Sequence, residues 1–459
     1  MVRREWQRWL AGVVGVCLLL TAVCVWRVDH SDPPAEPILR RQIRDLAKQL
    51  RTLQVSERVR AWAYPGLASR QASWNAANAQ LVLHRTKPTD AKTKPSKGLR
   101  DQLQGTLRRL LVARSQSLYG VREMREEGGA KVRAFWSRVD GTLQPYSLRL
   151  PRAYDPTVPW PLVVSLHGHG WFNPFQGHPA PDLQGVFSLS PHGRGATDYK
   201  ELGEEAVLGA IDEVCLDYNI DRERIYVTGG SMGGTGSWQL GCNYADRFAG
   251  IMPIAGNADS QAWTERWGWN QGFKGRYDGF RQWLQETHSA RAHARNLINL
   301  PTYVVHGSGD GVVPPEHARR MVAALREVNA PVEYREFPGV GHGGFPGLLT
   351  SEGLAWVCGR ARERYPERVV WRSALLRTGK AYWVRFAGLQ KPCEFGEIDA
   401  HVTGANQVTM CTHNLASLEL ELAPELFDLD RSLTVVVDDD RVEIPAPKER
   451  RWVRLQRHD

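Results

Sequence analysis

Cysteines are few in this sequence, and none has a spacing that suits a metal site. Seven cysteines are spread over 459 residues, and none forms a C-x-x-C motif or joins a histidine cluster with the spacing of zinc ligands. Cys17 and Cys24 fall in an apolar run, which leaves an odd set with at least one free thiol, and Cys393 and Cys411 could pair as a disulfide. We therefore expect no metal and no other cofactor.

The chain also lacks a nucleic-acid-binding motif and the sequence repeats of a β-propeller. Its net charge of +9 comes largely from arginines, which are dense in the first seventy residues and again near residues 360–377. Basic residues without an RNA- or DNA-binding pattern favour amphipathic helices or an anionic envelope surface over nucleic acid. We expect no nucleic-acid partner, and a chain of this length has room for two or three domains.

The first thirty residues have the pattern of an export or anchoring element. Arg3, Arg4 and Arg8 precede an uninterrupted apolar run from Trp9 to Trp26. Its eighteen residues are at the lower limit for crossing a bilayer, and the leading arginines predict a cytoplasmic N-terminus. Because no A-x-A cleavage site is visible, an uncleaved signal anchor is favoured over a removed signal peptide. Either one places the remaining chain outside the cytoplasm, anchored to the membrane or secreted.

A G-x-S-x-G motif stands between a strand-like run and a helix-compatible run. Gly229-Gly230-Ser231-Met232-Gly233 follows residues 224–228 and precedes residues 234–242. In this setting the turn is so tight that the positions two before and two after the serine must lack bulk, and both are glycine. The turn raises the Ser231 hydroxyl to the carboxyl edge of a parallel sheet, and the helix N-terminus faces developing negative charge. We predict that Ser231 is a nucleophile.

An acid and a histidine follow the serine in the order that such a site requires. Asp310 comes just after the buried strand predicted for residues 301–307, and His342 lies in a glycine-rich loop after the strand predicted for residues 332–337. A neutral imidazole takes the serine proton and returns it to the leaving group, while a carboxylate fixes its tautomer. We therefore predict that Ser231, Asp310 and His342 form a catalytic triad.

A loop after another predicted strand supplies the second half of an oxyanion hole. The apolar, β-branched residues 161–166 open into His167-Gly168-His169-Gly170. In hydrolases with this architecture one donor is the N–H of the residue after the nucleophile, and the other comes from this loop. We assign the backbone N–H groups of Met232 and His169, and expect the His167 and His169 side chains to be structural.

These motifs resemble the catalytic domain of the prolyl oligopeptidase family, in the propeller-less branch with feruloyl-esterase-like and polyhydroxybutyrate-depolymerase-like secreted esterases. The resemblance covers about residues 139–362. It implies an α/β-hydrolase fold, with a mostly parallel sheet and helices on both faces, but fold and triad are shared by peptidases, esterases, thioesterases and lipases. Further matching text is found at residues 140–146, 191–195, 248–256, 306–307 and 313–314.

An aromatic and basic insertion separates the serine motif from Asp310. Insertions at this edge commonly form a lid or a pocket wall, and aromatic rings stack well on sugar faces and phenolic acids. Aromatic residues at helical spacing are equally typical of a core. If they line a pocket, Trp267 and Trp269 are the best candidates for substrate binding. The aromatic residues of the insertion are Trp263, Trp267, Trp269, Phe273, Tyr277, Phe280 and Trp283.

The flanking segments complete the predicted organisation, which is a signal element at 1–30, a helical region at 31–138, the hydrolase at 139–362 and a β-rich domain at 363–459. The helical region has apolar positions at helical spacing, and it either packs on the hydrolase flank or covers the active-site mouth. Short strands between turns after residue 366 predict a small β-sandwich, which either binds a polysaccharide or stabilises the enzyme.

The predicted protein is an extracytoplasmic serine hydrolase that cleaves carboxylic esters of small molecules or carbohydrates, such as acyl or feruloyl esters, through an acyl-enzyme. Two alternatives remain. One is a serine peptidase of prolyl oligopeptidase type acting on short peptides, and the other is a non-catalytic envelope-binding protein that uses the hydrolase domain as a scaffold.

Overall fold

The computed structural model describes residues 39–48, 76–77, 79–80, 82–83, 103–107, 110 and 129–457, the last range without 171–178, 269–274, 276 and 346–351. The apolar run at 9–26 and Trp269 therefore lie outside the described residues. The chain divides into two compact units, with the boundary between residues 124 and 125.

The described part of the first unit is helical, as its apolar spacing predicts. Residues 39–48 and 103–107 are in helices, and their buried apolar side chains recur three or four positions apart, which places them on one face. These faces form a small core of their own. Its largest members are Leu39, Ile43, Leu46, Leu103, Leu107 and Leu110.

The second unit is built on one eight-stranded sheet. Its strands are β1 (Gly129–Trp136), β2 (Leu143–Leu150), β3 (Trp160–Leu166), β4 (Phe187–Pro191), β5 (Ile220–Gly230), β6 (Gly250–Ile254), β7 (Thr302–Gly307) and β8 (Val332–Phe337). They lie in the order β1-β2-β4-β3-β5-β6-β7-β8. β1, β2 and β4 pair antiparallel, and all the pairings from β4 to β8 are parallel.

The sheet begins before residue 139, in a stretch for which the sequence predicts helix. β1 pairs with β2 over its whole length, from Gly129 opposite Leu150 to Trp136 opposite Leu143. A turn closed by the Ser137 N–H on the Thr142 carbonyl, at 2.8 Å, joins the two strands. Cross-strand pairing of this kind overrides local helix preference, because it satisfies the backbone of both segments at once.

Helices cover both faces of the sheet, which confirms the α/β-hydrolase fold. The helices of this unit are α1 (Leu202–Asp217), α2 (Met232–Asn243), α3 (Ser260–Arg266), α4 (Asp278–Thr287), α5 (Glu316–Glu327) and α6 (Glu352–Cys358). Successive strand residues point to opposite faces: Leu162 and Val164 join one buried cluster together with α1, whereas Val163 joins another together with α6.

The C-terminal residues form the predicted β-sandwich. Its strands are β9 (Arg368–Ser373), β10 (Lys380–Ala381), β11 (Val384–Leu389), β12 (Gly396–Gly404), β13 (Gln407–His413), β14 (Leu415–Leu422), β15 (Leu433–Val437), β16 (Asp440–Ile444) and β17 (Arg451–Gln456). They form two sheets, β10-β11-β14-β17 and β16-β15-β13-β12-β9. Trp371 and Trp383 are fully buried, and the indole of each donates to a backbone carbonyl at 2.8 Å.

The sandwich is joined to the hydrolase domain by a continuous core and by buried hydrogen bonds. The buried cluster that contains Val164 also contains Trp371. Asn296, in a 3₁₀ helix between β6 and β7, donates through Nδ2 to the carbonyls of Cys242 and Arg372, both at 2.9 Å, and accepts from the Arg372 N–H at 2.8 Å. This side chain ties the C-terminal end of α2 to the first strand of the sandwich.

The suggested disulfide between Cys393 and Cys411 is not formed, and both thiols are free and exposed. The register explains why, since Cys411 on β13 pairs with Asp399 on β12. Cys393 lies six residues before that partner and outside β12, so the two cysteines do not face each other across the sheet. Cys242, on α2 as predicted, is buried as a small apolar group.

Within the described residues, every helix is too short or too polar to span a bilayer. The same residues contain no group of three or more His, Cys, Asp or Glu side chains arranged to hold a metal ion.

Candidate active site

Ser231 occupies the sharp turn between β5 and α2. Its φ is 58° and its ψ −119°, a left-handed conformation that is rare and costly for a residue with a Cβ. Its N–H donates to the Ile254 carbonyl of the neighbouring strand at 2.9 Å, and its carbonyl accepts from the Thr235 N–H at 3.0 Å. The backbone on both sides of the serine is therefore held, and the side chain stands at the carboxyl edge of the sheet.

The two glycines of the motif are required by the space around the turn. A Cβ on Gly229 would lie 2.6 Å from the Leu166 carbonyl oxygen, and a Cβ on Gly233 would lie 2.2 Å from the same atom. Both distances are far below van der Waals contact. Gly230, by contrast, has nothing within 4 Å of the position that a Cβ would take. The turn thus packs against the end of β3 so closely that only glycine fits at 229 and 233.

The structure brings the three predicted triad side chains into one hydrogen-bonded chain. His342 Nε2 lies 2.8 Å from Ser231 Oγ, and His342 Nδ1 lies 2.7 Å from Asp310 Oδ2. A carboxylate only accepts, so Nδ1 carries the proton and Nε2 is left free to accept from the serine hydroxyl. The imidazole is therefore in the tautomer that can remove the serine proton.

Asp310 is held by the loop that follows β7. Its side chain has no exposed surface, and its Oδ1 accepts from the N–H groups of Val312 and Val313, both at 2.9 Å. The other oxygen is thereby directed at His342. The loops that carry the two residues also bind each other, since the Gly309 N–H donates to the Val340 carbonyl at 3.0 Å.

The other acidic side chains of this half of the domain have different partners. Asp259 caps the N-terminus of α3 and pairs with Arg291 at 2.8 Å. Asp278 pairs with Arg281 on the exposed side of α4. Glu336 pairs with Arg319, which lowers the pKa of that carboxyl to about 2. Among the described acids, Asp310 is the one that bonds to His342.

The predicted oxyanion loop reaches the serine. A Cβ on Gly168 would lie 3.9 Å from the Ser231 Cβ and 3.7 Å from the Gly230 carbonyl oxygen. His169 follows on the exposed surface, and Met232 is the first residue of α2, where backbone N–H groups have no partner within the helix. The His167 side chain is buried, with its ring nitrogens 2.8 Å from the carbonyl oxygens of Gly168 and His192, in line with the structural role expected for it.

Trp267 directly follows α3, and its neighbour Arg266 reaches the loop that carries Asp310. The Arg266 guanidinium donates to the Gly311 carbonyl at 2.6 Å. The Trp267 ring is 47% exposed and makes an edge contact with Trp263, with centroids 5.6 Å apart. The described part of the insertion is a pair of helices, α3 and α4, with exposed rings rather than a closed core. Trp269 lies outside the described residues.

The sequence motifs assign no role to two buried histidines, His306 beside Asp310 and His317 on α5. His306 Nε2 lies 3.4 Å from Asp310 Oδ2, and His317 contacts Trp263 edge-on with ring centroids 5.9 Å apart. Burial lowers the pKa of His306, and it lowers the pKa of His317 to about 4, so both imidazoles are neutral at pH 7. His306 immediately precedes the glycine that ends β7, and that position at a strand end is the signal that could have identified it.

Residues 190–351 of this chain match the prolyl oligopeptidase family. The matched part holds the hydrogen-bonded Ser231, His342 and Asp310, and its similarity to that family supports a serine hydrolase. The hydrolase is 26% identical over 233 residues to an uncharacterized peptidase, YuxL, of Bacillus subtilis, a match that covers 44% of this chain and 34% of the relative. It is also 28% identical over 127 residues to a probable feruloyl esterase C of Aspergillus niger, covering 25% of this chain and 47% of the relative.

Among solved structures, the hydrolase is similar to a thermostable esterase, with 25% identity and a TM-score of 0.39 over 51% of this chain and 63% of that one. The chain spans between about a third and a half of the length of the curated relatives that it matches.

Proposed function

We propose that the protein is a serine esterase that cleaves carboxylic esters through an acyl-enzyme, with Ser231, His342 and Asp310 as its catalytic triad. The observation that carries the proposal is the unbroken chain of hydrogen bonds from Ser231 Oγ through His342 to Asp310, at 2.8 and 2.7 Å. These are the distances over which a general base acts on a nucleophile.

The proposed reaction begins with attack of Ser231 Oγ on the ester carbonyl carbon, while its proton passes to His342 Nε2. The imidazolium is stabilised by Asp310, and the oxyanion by the backbone N–H groups of Met232 and His169. Collapse of the intermediate breaks the ester C–O bond, and the alcohol leaves with the proton from Nε2. Water then gives a proton to the same nitrogen and attacks the acyl carbon. The bond from that carbon to Ser231 Oγ breaks, Oγ takes the proton back from Nε2, and the carboxylic acid is released.

We further propose that the esters are acyl or feruloyl esters of small molecules or carbohydrates. The feruloyl esterases among the relatives support this class, although peptidases are also among them. The exposed ring of Trp267, the residue after the Arg266 that bonds to the Asp310 loop, offers a stacking surface for a sugar or a phenolic acid. Trp269 is proposed to share this role. Cleavage of an amide depends more strongly than cleavage of an ester on a well-placed general acid that protonates the leaving group.

We also propose an extracytoplasmic location, with the N-terminal residues 9–26 anchoring the protein to a membrane. The basic residues before this apolar run and its length support the proposal. Carbonate extraction of membranes from cells that make the full chain tests it, with a chain lacking residues 1–30 as the control. Recovery of the full chain in the soluble cytosolic fraction would overturn it.

The nucleophile is tested by Ser231→Ala. Turnover of p-nitrophenyl acetate should fall by about 10⁶-fold, and covalent labelling by a fluorophosphonate should be lost, while circular dichroism stays unchanged because the turn needs small neighbours rather than the hydroxyl. Ser237, buried on the same helix and bonded to the Gly233 carbonyl, provides the matched control Ser237→Ala, which should keep both activities. Labelling that persists in Ser231→Ala would refute the assignment.

The substrate class is tested with feruloylated and acetylated oligosaccharides, p-nitrophenyl esters and dipeptidyl amides. Esters should have the higher kcat/KM, and Trp267→Ala should raise KM for aromatic or sugar esters more than for p-nitrophenyl acetate. Trp452→Ala, on strand β17 of the sandwich, is the control and should change neither. Higher kcat/KM for the amides would replace the esterase proposal by a peptidase.

A further inference from the structure

Asp310 has a second histidine neighbour besides His342. His306 lies on β7, four residues before the acid, and its side chain is 1% exposed. Its Nε2 is 2.9 Å from the Val313 carbonyl oxygen and 3.4 Å from Asp310 Oδ2. The nitrogen therefore faces two acceptors, one of them the carboxylate oxygen that receives the proton-bearing nitrogen of His342.

The protonation of His306 follows from these partners. A carbonyl oxygen only accepts, so Nε2 must carry a hydrogen to bond to Val313. This N–H is directed at the Val313 carbonyl, and Asp310 Oδ2 lies 3.4 Å from the same nitrogen. Burial lowers the pKa of His306, so the ring is neutral at pH 7 and is a dipolar donor rather than a second cation beside the acid.

The bonding of Asp310 gives this donor a specific effect. Oδ1 is held by the N–H groups of Val312 and Val313, both at 2.9 Å. Oδ2 receives His342 Nδ1 at 2.7 Å and has His306 Nε2 on another side. Because rotation about Cβ–Cγ moves both oxygens together, the loop amides that fix Oδ1 also set the direction of Oδ2. A partner that holds Val313 in place therefore acts on Oδ2 as well, in a site with no exposed surface on the carboxylate.

The other charges near His306 do not compete for this role. Glu336 is engaged by Arg319 at 2.6 Å and by the Tyr334 hydroxyl at 2.5 Å. The carbonyl of Val313 belongs to the same loop that binds Asp310 Oδ1, so His306 ties that loop, and through it the carboxylate, to the end of β7.

We propose that His306 is a positioning residue of the triad: its Nε2–H holds the Val313 carbonyl, and with it the loop amides that keep Asp310 Oδ2 in the orientation that receives the His342 Nδ1–H. The inference rests on the proposed function of Ser231, His342 and Asp310. It predicts that His306 acts on turnover through the acid, and not through substrate binding or overall stability alone.

A pair of variants separates the N–H from the bulk of the ring. In His306→Gln the amide nitrogen stands the same number of bonds from Cβ as Nε2, so it can still donate to the Val313 carbonyl. In His306→Leu the donor is lost. We expect kcat for p-nitrophenyl acetate to fall about 10- to 100-fold in His306→Leu with KM unchanged, and to stay within about 3-fold of wild type in His306→Gln.

His306→Asn provides a polar variant if leucine prevents folding. Its amide is one bond too short to reach the Val313 carbonyl, so the loss in kcat should match that of leucine. His293→Leu is the matched control, because His293 is also buried and its Nδ1 is 2.9 Å from a carbonyl, that of Ser289, but its ring packs on Phe395 of the sandwich. This variant should lose thermal stability and keep kcat.

A double variant tests whether the effect passes through Asp310. In an Asp310→Asn background, His306→Leu should lower kcat no further, because residues that act as one unit are not additive. Any one of three results would overturn the inference while fluorophosphonate labelling of Ser231 stays normal. They are full kcat in folded His306→Leu, a loss of kcat in His306→Gln equal to that in His306→Leu, and an additive loss in the double variant. Labelling that survives Ser231→Ala would instead overturn the proposed function, and the inference with it.

Discussion

Replacing Asp310 by asparagine should leave the fold intact and place the wrong hydrogen on His342. The loop amides of Val312 and Val313 both bind Oδ1 at 2.9 Å, and an amide nitrogen cannot accept them. The asparagine oxygen must therefore take the Oδ1 position, and its NH₂ group must take the Oδ2 position, 2.7 Å from His342 Nδ1. Nδ1 then has to accept, so the ring proton moves to Nε2.

The size of the effect follows from that exchange of roles. With a hydrogen on Nε2, the imidazole donates to Ser231 Oγ and cannot remove the serine proton. The same change in a triad of another fold lowers kcat by about 10⁴-fold, which corresponds to about 5 kcal/mol of transition-state stabilisation. Stability should change little, because both loop amides keep their acceptor.

The measurement is kcat/KM for p-nitrophenyl acetate together with the rate of fluorophosphonate labelling. Asp259→Asn is the matched control, since an asparagine there can still cap α3 and the residue has no contact with His342 among the described hydrogen bonds. A folded Asp310→Asn enzyme within about 10-fold of wild type, or an equal loss in Asp259→Asn, would refute the reasoning.

Three further predictions concern stability. Gly233→Ala places a Cβ 2.2 Å from a backbone oxygen of β3, so it should destabilise the enzyme by about 1–3 kcal/mol in urea unfolding and abolish turnover. Gly230→Ala is the control and should be tolerated, because nothing lies within 4 Å of its Cβ position. Arg377→Met removes a 2.7 Å bond to the fully buried Glu204 carboxylate and should lower the free energy of unfolding by about 2 kcal/mol in the same assay. A decrease of less than about 0.5 kcal/mol would contradict this prediction. Burial lowers the pKa of His317 to about 4. Between about pH 6.5 and pH 4 the unfolded chain therefore takes up a proton at this histidine while the folded protein does not, and the free energy of unfolding should fall by about 3 kcal/mol over that range. Thermal unfolding measured across these pH values should depend less steeply on pH in His317→Phe, and an unchanged slope would contradict the prediction.

The serine turn could be predicted from the sequence because its constraints are local. Glycines two residues on either side of Ser231, between a β-branched run and a helical run, are required by contacts with a neighbouring strand of the same sheet. The acid and the histidine could be predicted as well, since parallel strands bring residues that follow them to one edge. Asp310 and His342 lie there, hydrogen-bonded to each other.

The first strand and the joint with the sandwich could not be predicted in this way. Gly129–Trp136 is a strand because β2 pairs with it, and short-range apolar spacing does not report that partner. Glu204 is buried where α1 meets Gln239 and Asn243 of α2 and Arg377 of the sandwich. No motif marks such a carboxylate, because its donors are separated from it by 35 to 173 residues.

The sequence by itself determined the type of chemistry and the positions of Ser231, Asp310 and His342, because a strained turn, a strand end and a glycine-rich loop each require particular residues within a few positions. Only the tertiary structure decided which oxygen of Asp310 faces His342 and which neighbour lies beside it. That choice depends on two loop amides and on His306, and hydrogen-bond direction between buried groups is set by packing in three dimensions rather than by local spacing.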